Sequence, residues 1–163
     1  MSSAPPTARG IAAFVAALWV SLTIAERPLM ALVGQESAVR DRVNIVRRQH
    51  ELVQLRGHDA LARVARAHAE EMARENYLDH VNPSGQNPLD RVRAAGIDGF
   101  RLLAENIGTT TMPGDRVTSL IDGWMGSPIH RENILNPAFN TTGIAVVTTA
   151  DGRTIAVQLF ATY

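Results

Sequence analysis

Val39, Val43, Val46 and Val53 recur at i, i+4, i+7 and i+14 within a polar, arginine-rich stretch, a spacing that predicts an amphipathic helix from Glu36 to about Leu55, ended by Arg56-Gly57. Leu61, Ala65, Ala69 and Met72 form a second helical stripe, entered near Asp59 as N-cap and closing around Tyr77. The run from Asp79 to Gly99 is rich in Asn, Pro and Gly, then briefly helical, with Leu89, Val92 and Ile97 facing inward around a surface excursion at His80. Val117, Leu120, Ile121 and Trp124 mark a third helix capped by Asp115, and Ser127-Pro128 restarts the chain. The text then becomes β-rich. Gly143 to Thr149 and Arg153 to Thr162 flank Ala150-Asp151-Gly152, a hairpin signal of the type I′ kind, and a further strand is expected through Ala104 to Thr109. Helices early and strands late predict an α+β domain with helices packed on a small antiparallel sheet.

The amino terminus follows a different rule. Gly10 to Ala25 carries no charge, follows a proline-containing lead with Arg9, and gives way to Glu26, Arg27 and Pro28. Its length falls short of the roughly 18–20 residues that a spanning helix needs, and Thr23-Ile24-Ala25 offers a small-x-small cleavage site, so residues 1–25 read as a signal peptide. An uncleaved anchor is the alternative, because apolar character resumes at Leu29 to Val33. On this reading 26–35 is a linker and 36–163 one exported domain, secreted or held outside a membrane by the anchor.

Composition narrows the chemistry. The 163 residues balance 16 basic against 16 acidic side chains, and every basic residue is arginine. With no net charge and the arginines interleaved with acids, nucleic-acid capture is not expected, and membrane contact is expected only through the amino-terminal segment. Cysteine is absent, which excludes disulfides, thiolate metal sites and cysteine nucleophiles. There is no serine elbow, phosphate loop or HExxH string. His80, Glu105 and His130 lie in turn-forming or element-end text, where binding residues are usually carried. His50, His58 and His68 read as structural, and Asn140-Thr141-Thr142 is a weak match to a glycosylation acceptor.

Several strings together carry a family likeness: Asn44 with Arg47, the AxxHAEEM helix at Ala65 to Met72, His80, Pro88-Leu89-Asp90-Arg91, Ala104-Glu105-Asn106-Ile107, the WMGSPIHRENIL run from Trp124 to Leu135, and Gly143-Ile144. In order and spacing they resemble the bacterial branch of the CAP superfamily, the SCP-like extracellular domains, over about residues 36–163. The resemblance implies a three-layer α-β-α sandwich with a central cavity where histidines and acids converge and can hold zinc or another divalent cation. His80, Glu105 and His130 match those positions. The second glutamate of the eukaryotic branch has no counterpart in Met125-Gly126-Ser127, and the eukaryotic disulfides are missing. Two imidazoles and one carboxylate would leave a fourth position for water, the composition of an open zinc site. Ser127 is expected as an N-cap that could also lend a hydroxyl to the cavity rim, and Trp124 as core. The resemblance favours a monomeric, non-catalytic binding domain for a small apolar ligand, lipid or peptide. A metal-dependent hydrolase acting on extracellular or envelope peptides is the alternative, lacking an evident second carboxylate as general base.

Overall fold

The computed structural model describes Met1 and residues 26–163, with side chains from residue 34 onward. The expected signal segment therefore lies outside the described residues. Five helices and four strands follow: α1 (Glu26–Gln49), β1 (Arg56–Gly57), α2 (Asp59–Glu75), α3 (Pro88–Ala94), β2 (Leu102–Thr110), α4 (Arg116–Gly126), α5 (Pro128–Leu135), β3 (Thr141–Thr148) and β4 (Thr154–Thr162). Among the described residues no helix is long and apolar enough to cross a membrane.

The sheet runs β1-β3-β4-β2. Its long strands pair antiparallel, but β1 pairs parallel with β3 through Arg56 with Thr141 and Gly57 with Thr142, so the sheet is mixed instead of wholly antiparallel. Alternation along β4 shows how three layers form. Ile155, Val157, Leu159 and Ala161 point into a core shared with α2 and α3, while Ala156 and Phe160 point into a second core shared with α1, α4 and α5. A sheet covered on both faces buries nearly every position of its inner strands, and β4 is accordingly buried from Thr154 to Ala161.

The first helix differs most from its sequence-based bounds. It takes in residues 26–35, read from sequence as linker, and stops at Gln49 instead of continuing to Leu55. Val39 and Val43 are fully buried, but Val53 lies beyond the helix and is 72% exposed. The chain reverses because two polar side chains of the last turns hold it. Asn44 Oδ1 accepts from Leu55 N at 2.8 Å and Asn44 Nδ2 donates to Leu55 O at 3.1 Å, imitating a strand pair. Arg47 Nε donates to Val53 O at 2.8 Å. This turn delivers Arg56 and Gly57 to the sheet edge. At the start of α2 the cap is His58, one residue before the expected Asp59, with its Nδ1 accepting from Leu61 N at 3.2 Å.

The hairpin joining β3 to β4 forms where expected but not as a type I′ turn. Gly152 N donates to Thr149 O at 2.9 Å and Thr149 N to Arg153 O at 2.8 Å, and within the loop only Gly152 has positive φ, at +88°. This is a three-residue loop with one left-handed position, so Ala150 and Asp151 escape the strain that a type I′ turn would impose. Gly152→Val is expected to cost about 1–2 kcal/mol, the penalty for a side chain in left-handed backbone, and Gly152→Asn less. Thermal unfolding that ranks valine level with glycine would contradict the loop geometry.

Candidate functional site

The candidate site forms where the loop before α3, the edge strand β2 and helix α5 meet. Asn87 opens α3 with a capping box: its side chain accepts from Asp90 N, and Asp90 in turn accepts from Asn87 N, both at 3.1 Å. That short helix presents Arg91 inward. Arg91 Nη1 donates to His80 O at 2.8 Å and Gln86 O at 2.9 Å, which ties down the excursion that carries His80. Its Nη2 donates to Glu105 Oε2 at 2.7 Å. The other carboxylate oxygen, Oε1, lies 2.9 Å from His80 Nδ1. The Glu105 side chain is 2% exposed, whereas His80 is open to solvent at 45%.

Strand alternation places His130 differently. Glu105 shares the face of β2 that Ile107 turns toward the α2 core, and its neighbour Asn106 faces α5. Asn106 Nδ2 donates to His130 O at 3.0 Å, and Asn133 Nδ2 donates to Asn106 Oδ1 at 2.8 Å. Thus α5 is pinned to the strand through Asn106, and His130 lies across the sheet edge from Glu105. Burial lowers the His130 pKa, and the neighbouring His80 lowers it further. Ser127 is the N-cap of α5 with Pro128 opening the helix, as expected, though its side chain makes no cap bond. Trp124 is core, 2% exposed, with Nε1 donating to Ile107 O at 3.0 Å.

Of the four sequence-derived site residues, His80 and Glu105 therefore touch, while His130 is tied to Asn106 through its backbone carbonyl and Ser127 stands at the start of α5. Among the described residues no group of three or more His, Asp or Glu side chains is spaced to hold a metal ion. Both Glu105 oxygens are taken, one of them by a guanidinium that is itself tied to two backbone carbonyls. A divalent ion could take that carboxylate as a ligand only by displacing His80 or Arg91, and it would meet the fixed guanidinium beside it. As arranged, Glu105 is held by His80 and Arg91 and is not free to serve as the expected third ligand beside His80 and His130. Sequence reading assigned Arg91, Asn106 and Asn133 no role. The available signal was a charge inside a capped seven-residue helix, which needs a partner once the helix packs.

His68, read as a structural histidine, is buried in α2 with Nε2 2.9 Å from Asp79 O. Burial lowers its pKa and Arg91 adds to the shift, against smaller upward pulls from Glu105, the Asp79 carbonyl and Glu71. Below the ordinary imidazole range the unfolded chain takes up a proton that folded His68 resists. Its contribution to stability is therefore complete at neutral pH and falls as pH drops through about 6.5. Denaturant titrations at stepped pH should show this loss, and His68→Gln should flatten it.

The chain matches the CAP, or cysteine-rich secretory protein, family over residues 40–160 and belongs to it. It is 33% identical to the uncharacterized protein YkwD of Bacillus subtilis over 112 residues, covering 69% of this chain and 42% of that protein. A crystal structure of an extracellular SCP-domain protein from Bacillus anthracis superposes with a TM-score of 0.73 at 30% identity, over 87% of this chain and 44% of that one. An outer surface protein of Borrelia burgdorferi shares the fold, with a TM-score of 0.70 at 23% identity over 79% of this chain and 92% of its own. This chain spans less than half the length of YkwD and of the B. anthracis protein.

Proposed function

We propose that the protein is an exported CAP domain that binds a small apolar ligand, lipid or peptide over the His80–Glu105 pair without transforming it. The observation that carries this reading is the Glu105 carboxylate, 2% exposed, with one oxygen on Arg91 and the other on His80. A general base needs an oxygen within reach of the proton it takes, and neither oxygen here is free. Exposed apolar side chains flank both histidines in sequence: Leu78 and Val81 beside His80, and Ile129 beside His130. Such side chains suit contact with an apolar partner better than with water. Export is supported by the uncharged run Gly10 to Ala25 and by relatives described as extracellular or outer-surface proteins.

Native mass spectrometry of the full chain recovered from its own host, compared with an Ile129→Asp, Val81→Asp variant, tests the proposal. A retained apolar adduct on the wild type that the variant lacks is the expected result. Turnover of an envelope peptide that depends on Glu105 would overturn it.

A further inference from the structure

Strand β2 ends the sheet, so one row of its backbone groups faces away from β4. Side chains of α4 and α5 show which residues carry that row. Asn133 Nδ2 donates to Glu105 O at 3.5 Å, and Trp124 Nε1 donates to Ile107 O at 3.0 Å. Alternate residues of an antiparallel edge strand turn both N–H and C=O outward, so Leu103 belongs to the same row. The helices thus close the edge at the carbonyls of residues 105 and 107. Among the described residues no hydrogen bond from beyond the sheet reaches Leu103 N, Leu103 O or Glu105 N.

This open stretch borders a groove of about 390 Å³ between α3 and the start of β2. Pro88, Leu89, Phe100 and Leu102 give the groove apolar walls, and Arg93 and Arg101 give it positive charge. Both arginines are exposed, and among the described residues neither pairs with a carboxylate. Glu105 also lines the groove, which therefore runs up to the site described above and is continuous with it. The Glu105 carboxylate is already held by His80 and Arg91, so what this residue offers an occupant is its N–H.

The occupant has to match a donor, an acceptor and a second donor in that order along the strand. A fatty carboxylate would suit the arginines and the apolar walls but has nothing to donate to Leu103 O. A second copy pairing β2 with β2 would need the carbonyls of Glu105 and Ile107, which Asn133 and Trp124 occupy. An extended peptide supplies C=O, N–H and C=O at strand spacing and needs only the short open stretch. We propose that the β2 edge from Leu103 to Glu105 takes an extended peptide as an added strand, with a peptide carboxylate on Arg93 and Arg101. This rests on the reading that this face of the domain binds a ligand, and it narrows that ligand to a peptide.

Amide hydrogen exchange of the full chain is the test, with acetyl-Val-Leu-Val-Asp as the peptide probe and decanoate as a carboxylate that lacks a peptide backbone. At nine-tenths saturation the peptide should slow exchange at Leu103 and Glu105 about tenfold, following the fraction left unbound. Ala104 and Asn106, whose N–H groups already face β4, should not change. Decanoate should leave all four amides as they are. Arg93→Gln combined with Arg101→Gln should weaken the peptide about fivefold, the worth of two exposed charge pairs, at an unchanged unfolding midpoint. No slowing at Leu103 and Glu105 with millimolar peptide would overturn the added strand. If decanoate nevertheless binds, and Val81→Asp with Ile129→Asp abolishes that, the ligand-binding reading stands without the peptide; if neither probe binds, both fall. Peptide binding of full strength in the arginine variant would overturn the placement of the carboxylate. Slowing that depends on protein concentration without peptide would overturn the occupant in favour of a second copy.

Discussion

Gly143→Ala should lower the stability of the domain more than any other single-methyl addition to the sheet, by at least about 3 kcal/mol. A Cβ at Gly143 would sit 2.3 Å from Ala62 N and 2.3 Å from Leu61 C, contacts that no flexible side chain can relieve because both atoms belong to the backbone of α2. Gly143 lies on β3, opposite Leu159 of β4 and on the face that also buries Ala145 against α2. Moving α2 outward to admit one methyl group would open the contacts of Leu61, Val64, Ala65 and Ala69, all of which are buried. Overpacking of this kind ordinarily costs about 1–3 kcal/mol, and here relief requires shifting a whole helix, so a loss of at least about 3 kcal/mol is expected. In a domain of this size that lowers Tm by about 10 °C. A calorimetric Tm within a degree or two of wild type would show that helix and strand do not approach so closely.

Arg47→Ala is the second large effect. The Arg47 side chain is completely buried, and no carboxylate pairs with it among the described residues. Its guanidinium instead donates to four backbone carbonyls: Val53 O at 2.8 Å, Ile134 O at 2.7 Å, Asn136 O at 3.0 Å and Phe139 O at 2.9 Å. These carbonyls belong to three places that Arg47 joins at one point: the turn after α1, the end of α5 and the approach to β3. Desolvation lowers the pKa of Arg47, as expected of a cation held only by dipoles. Truncation leaves four acceptors without their donor and a cavity the size of the guanidinium. The expected loss is about 4 kcal/mol or more, a large share of a typical folding free energy of about 5–15 kcal/mol. Arg47→Lys keeps the charge but not the fork geometry and should fall between alanine and wild type. Urea denaturation with an unchanged slope is the measurement, and a loss below about 1 kcal/mol would contradict the clamp.

The consequence of this clamp for function is indirect but definite. Ile134 and Asn136 end the helix that carries His130 and Asn133, so Arg47 fixes α5 against the first helix while Asn106 fixes it against the sheet. The floor of the candidate site is thereby built from residues 47, 91, 105, 106 and 133, four of them outside the set of candidate ligands. Arg91 does for the His80 excursion what Arg47 does for α5.

Periodicity along the chain was enough to determine the buried faces of α2 and α4, the two long strands of the hairpin and the polar loops between them, because those patterns depend on residues within one or two turns of each other. The strings around His80, Glu105 and His130 likewise sufficed to place the chain in its family. Where α1 stops was not legible locally, since the reversal after Gln49 depends on Asn44 and Arg47 reaching carbonyls up to 92 residues away. Nor was the parallel pairing of β1, two residues whose partners lie beyond position 140. The site follows the same division. The sequence determined that two imidazoles and a carboxylate were available, but the pleat of an edge strand decided that Glu105 meets His80 and Arg91 on one face while Asn106 takes up His130's helix on the other. A guanidinium from a helix fourteen residues upstream of Glu105 then fills the charge requirement that the residue list alone had assigned to a metal ion.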